Sequence, residues 1–197
     1  MKLSVEFIKA NTDCMEYKID ELANGRTLID HTILTKLGLS PPIILEVIEK
    51  IKLGGNLRFH LYADIVNRVL HAFEKQYPEN KHPRKTIQGV RDYADDKITI
   101  EELKKIRADT DAGNFDCRRH WVRIVAHAAD AVAYIVCDGA SPSAVCFFAI
   151  TSSNAVAVDR HITSPNPVLL EQAAQLKLID KFLQKIAKRE TDEKSKN

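Results

Sequence analysis

An all-α chain is what this sequence predicts, on two observations. Apolar residues recur every three or four positions through most of its length, the spacing that lines one face of a helix. Proline, glycine and short polar residues fall where those periodic runs begin and end. Counting these caps and breakers predicts a compact, irregular bundle of roughly eight helices.

Val5, Phe7 and Ile8 open the chain as a short helix or an extended piece. Ile19, Leu22, Leu28, Ile29, Ile33, Leu34 and Leu37 then suggest two small helices separated at Asn24 and Gly25. Ser40 before Pro41 and Pro42 supplies an N-cap and a first-turn proline for a helix through Ile44, Val47, Ile48 and Ile51, which Gly54 and Gly55 end. A longer helix is expected from about Leu57 to Tyr77, with Leu61, Ile65, Val69 and Phe73 inward, Val66 and Leu70 widening that face, and Pro78 as its stop. Pro83 starts a short helix through Ile87, Val90 and Ala94, and Thr99 with Glu102 makes a capping box for the next, with Ile100, Leu103 and Ile106 inside. Phe115 to Cys137 is apolar around most of its circumference and belongs at the centre of the fold, closed by Gly139. Ala144 to Val158 reads as a further small-residue helix; its run Ala155 to Val158 could be a strand, but one without a ladder to join. Asn166 and Pro167 repeat the cap-and-proline signature before a last helix, Val168 to about Lys188.

A length of 197 residues with 45% hydrophobic content suffices for one sizeable core, so residues 1–190 read as a single helical domain and 191–197 as a charged, flexible tail. Lys plus Arg (29) and Asp plus Glu (27) nearly cancel, and the net charge of +2 calls for no polyanion; nucleic acid is not indicated. The amino terminus lacks the apolar run of a signal peptide, and no stretch reaches the ~20 residues of a membrane span. Cys14, Cys117, Cys137 and Cys146 form no C-x-x-C pair, which argues against a disulfide framework or a structural zinc and fits a cytoplasmic protein.

No phosphate-cradling glycine loop, zinc-protease helix or nucleophile elbow occurs, so no catalytic residue, metal or cofactor is assigned. One stripe could carry chemistry: Asp116, His120, Arg123, His127, Asp130 and Tyr134 follow one another every three or four residues on the central helix. As a site, it would use His120 or His127 as proton carrier or metal ligand, with Asp130 fixing the tautomer of His127. As architecture, it is a solvated face or a satisfied polar network, which helical periodicity alone creates. A basic segment, Lys81, His82, Arg84, Lys85 and Arg91, lies between Tyr77 and Tyr93, beside the acids Glu74, Glu79, Asp92 and Asp95 that would pair with it. Lys104, Lys105 and Arg107 read as the exposed side of their helix.

Residues Leu61 to Ile98 carry a resemblance. Leu70, Phe73 and Glu74 end a helix, Pro78 follows, Pro83 and Arg84 form a P-R pair, and Ile87 and Arg91 complete the pattern; His127 lies in an alanine-rich helix. This resembles the immunity-protein-five-like family of small helical bacterial and phage proteins. The chain departs from the family pattern at Asn67, where an acid is common, at His82 in place of an arginine, and at Asp96 in place of a glycine. The resemblance implies a helical fold and a protein that neutralises a toxin or defence effector by binding it. The same positions also have a structural explanation, with Pro83 starting a helix, Arg84 and Arg91 clamping the acidic helix before it and Ile87 in the core. Partner-binding candidates are therefore His120, Arg123, His127, Asp130, Tyr134, Arg84 and Arg91. The alternatives are an enzyme or small-ligand binder built on the central stripe, and a structural or self-associating helical domain.

Overall fold

The computed structural model describes residues 2–10, 27–111, 120–139, 145 and 167–195, with backbone alone at 29, 33, 72, 109–111 and 120–126. The fold is all-α. Among the described residues there are seven α-helices: α1 (Val5–Ala10), α2 (Pro41–Lys50), α3 (Leu57–Gln76), α4 (His82–Ala94), α5 (Ile100–Asp111), α6 (His120–Asp138) and α7 (Pro167–Lys194). The expected helix at Ala144 to Val158, with its strand alternative, lies outside the described residues apart from the helical Val145.

The amino-terminal part corrects the sequence reading. Leu28 and Ile29, expected in a helix, belong to a short strand β2 (Leu28–Asp30) that pairs antiparallel with β1 (Lys2–Ser4), Leu3 opposite Ile29. The two three-residue pieces satisfy each other's backbone groups, which neither could do alone. Asp30 then caps a 3-10 helix (His31–Leu37) by accepting the Thr32 N–H at 2.9 Å, and Gly38 ends it in the left-handed region at φ 70°.

Helix α3 organises the rest. Its predicted face (Leu61, Ile65, Val66, Val69, Leu70, Phe73) is buried throughout. The helix packs on α4 and α6 on one side and on α7 on the other, while α5 bridges α4 and α6. Gly89 of α4 lets α5 approach: a Cβ there would lie 3.1 Å from Ile106 Cδ1 and 3.2 Å from Leu103 Cδ1. The capping box of α5 forms as its sequence implies, the Thr99 N–H donating to Glu102 Oε2 at 2.7 Å and the Glu102 N–H to Thr99 Oγ1 at 3.2 Å. Helix α6 is buried along Ala128, Ala129, Val132, Ala133 and Ile135, and Gly139 closes it at φ 68°. Helix α7 rests on α2, α3 and the 3-10 helix through Ile179, Phe182, Leu183 and Ile186. It runs past Lys188 to Lys194, because no proline or glycine stops it and Arg189 pairs with Glu193 one turn on. No helix among the described residues is long and apolar enough to cross a membrane.

Candidate functional site

The described part of the α6 stripe varies in burial. His127 is exposed, whereas Asp130, one turn on, is only 8% exposed. Tyr134 returns to the surface, and the Arg107 guanidinium of α5 stacks 4.0 Å above its ring while also pairing with Asp138. Arg107 is thus a clamp between α5 and α6 and not the plain solvent-facing residue its sequence context suggested. His120 and Arg123 lie on α6, but their side chains are outside the described residues, as is Asp116. Among the described residues no group of three or more His, Cys, Asp or Glu side chains is placed to hold a metal ion. Cys137 is a half-buried free thiol that burial pushes above its ordinary pKa, so it is a weak nucleophile.

Arg84 and Arg91 are engaged within the fold. Arg84 grips Glu74 through two bonds, Nε to Oε1 and Nη2 to Oε2, both 2.7 Å, and its third nitrogen reaches Asn67. The bond from Arg84 is the main cause holding the Glu74 carboxyl below its ordinary value. Arg91 donates to Asp64 at 2.6 Å. Both acids lie on α3, Pro83 is buried in the first turn of α4, and Ile87 is fully buried. These four positions therefore fix how α4 sits on α3, as their structural explanation requires.

Arg58 and Arg68 are matched in the same way. Arg58, nearly buried, donates to Glu49 at 2.7 Å, where Lys52 and the buried Tyr62 hydroxyl also converge. Burial pushes the Glu49 carboxyl up, but the bonds from Arg58, Lys52 and Tyr62 outweigh it and hold the group low. Burial and the neighbouring Glu49 push the Tyr62 phenol far up, so it stays neutral and donates. Arg68 spans from α3 to Glu171 of α7 at 3.2 Å.

The contrast is α7. Between Leu176 and Lys188 it carries four lysines against a single acid, Asp180. That acid accepts from Thr35 of the 3-10 helix. Lys177, Lys181, Lys185 and Lys188 are exposed, and none has a hydrogen bond or ion pair among the described residues. They recur one turn apart over about 16 Å of the outward face. Sequence reasoning passed over this row, although its i, i+4, i+8, i+11 spacing was readable. Beside it, between α3 and α7, opens a groove floored by Leu57, Leu61, Leu178 and Phe182. Compared with protein-family models, with curated proteins and with solved structures, the chain finds no match.

Proposed function

We propose that this chain is a non-enzymatic, protein-binding neutraliser: an immunity or counter-defence protein of the cytoplasm that blocks a toxin or defence effector by occupying its surface. The observation that carries the reading is the unmatched basic face of α7. Every arginine with a described side chain is tied to an acid of the same chain, and while Lys36, Lys75, Lys81, Lys85, Lys104 and Lys105 are also exposed without an ion pair, α7 sets four such lysines along one straight helix face. A row of like charge on a rigid helix favours encounter with an acidic surface and speeds association, without asking for any turnover. The resemblance of Leu61 to Ile98 to the immunity-protein-five-like group supplies the class of partner. The residues that carry it serve the α3–α4 packing, so it is architecture that the two would share.

The test is affinity capture from native host lysate with the intact protein as bait, with captured proteins and small molecules both read by mass spectrometry. One protein in stoichiometric amount, released by raising salt to 1 M, is the expected result, since at that ionic strength screening acts over about 3 Å. A captured small molecule or metal ion with no protein would overturn the reading and move attention to α6.

A further inference from the structure

We propose that the groove between α3 and α7 is a socket for one leucine- or phenylalanine-sized side chain of the partner, carried in an acidic segment whose carboxylates pair with Lys181 and Lys185. This rests on the neutraliser reading and adds to it where the partner docks and by what chemistry.

Size comes first. The groove has a volume of about 150 Å³ and opens broadly to solvent. A cavity of about that volume lined by apolar side chains holds a benzene ring. Its apolar lining is Leu57 and Leu61 from α3 and Leu178 and Phe182 from α7, and the rest is His60, Asp64, Lys181 and Lys185. An aliphatic or aromatic side chain entering it would leave water for apolar surface, which favours binding.

The polar groups at its edge come next. His60 is bonded to Asp95 at 2.8 Å, and Asp64 is held by Arg91 at 2.6 Å. Each therefore already has a charged or hydrogen-bonded partner from α4 or the turn after it. Lys181 and Lys185, which complete the lining, have no such partner. The groove therefore presents an apolar floor with two available positive charges on its α7 side, continuing into Lys177 and Lys188 along the same helix.

That combination selects among polyanions. A nucleic-acid backbone would use the lysines and leave the apolar floor uncovered. An acidic protein segment with one large apolar residue covers both, the apolar side chain as anchor and the flanking carboxylates as rim contacts.

The test selects peptides from a phage-displayed random library on the intact protein, with counter-selection on the Lys181→Glu/Lys185→Glu variant, whose changes are both on exposed side chains. Enriched sequences should be rich in Asp and Glu around one Leu or Phe. A synthetic copy of the best peptide should lose at least tenfold in affinity when that residue becomes Ala, and at least tenfold on the variant. With the anchor replaced by photoreactive benzoylphenylalanine, the peptide should cross-link to Leu57, Leu61, Leu178 or Phe182, a readout that needs no variant. No enrichment, enrichment without the acidic and apolar signature, or cross-links elsewhere would each overturn the proposal. So would displacement of the peptide at physiological salt by an equimolar single-stranded oligonucleotide. If the variant still captures the same host protein as the parent, the neutraliser reading stands and the socket falls. If peptides are selected as described but no host protein is captured, the socket stands and the neutraliser reading falls.

Discussion

At the scale of single residues, the ion pairs differ in what they contribute because they differ in burial. The Arg84–Glu74 pair has good bidentate geometry, but Arg84 is 40% exposed, so solvent screens it. Arg84→Ala should cost about 1 kcal/mol in denaturant unfolding, and a double-mutant cycle with Glu74→Ala should return most of that as coupling. Glu49 is different, because its removal leaves the nearly buried Arg58 without its carboxylate; Glu49→Ala should cost about 3 kcal/mol. Both carboxyls are held below their ordinary value of 4.5. Their contribution is therefore complete above about pH 4.5 and is lost as pH falls through the lower folded values, where the unfolded chain binds more protons. Thermal melts between pH 6 and pH 3 should show this acid-side loss, and Glu74→Gln should make it shallower. The Thr99–Glu102 cap was legible in the sequence because both partners lie within one turn, and the pairing of Arg84 with an acid of the preceding helix was legible because a short linker joins the two. The reach of Arg68 to Glu171, 103 positions away, was not legible, since nothing local encodes it. The unequal burial of His127 and Asp130 was hidden for a related reason: periodicity places residues on a stripe but does not say which neighbour covers part of it.

Among the elements, α3 was the most readable, since one wide apolar face and a proline stop left it no other conformation. The β1–β2 pairing was unreadable because each strand is three residues long and its partner lies more than twenty positions away. Two adjacent glycines between α2 and α3 make a prediction that depends on tertiary contact. Gly54 and Gly55 both have positive φ, 75° and 55°. A Cβ on Gly54 would lie 2.6 Å from Ile186 Cδ1 and 3.0 Å from Phe182 Cζ, whereas one on Gly55 would meet nothing within 4 Å. Gly55→Ala should therefore cost about 1 kcal/mol from backbone strain alone, and Gly54→Ala about 2 kcal/mol or more, because it also pushes α7 from its seat. Urea melts of the two variants check this, and equal losses would mean that α7 does not pack on this turn.

For the whole molecule, α3 packs on α4 and α6 on one side and on α7 on the other, with α5 joined to α4 and α6, and α2 to α7. Every arginine with a described side chain is paired within the chain, and among the lysines that are not, four stand in a row on one face of α7. Their spacing was present in the sequence, but their meaning was not, because an unmatched charge is recognised only once the positions of the acids are known. The most direct measurement compares the intact protein with a Lys177→Glu/Lys181→Glu/Lys185→Glu/Lys188→Glu variant as baits in native host lysate, after circular dichroism has shown equal helicity. One stoichiometric protein held by the parent and lost by the variant is the predicted result; the same protein held equally by both, or none held by either, would contradict the account.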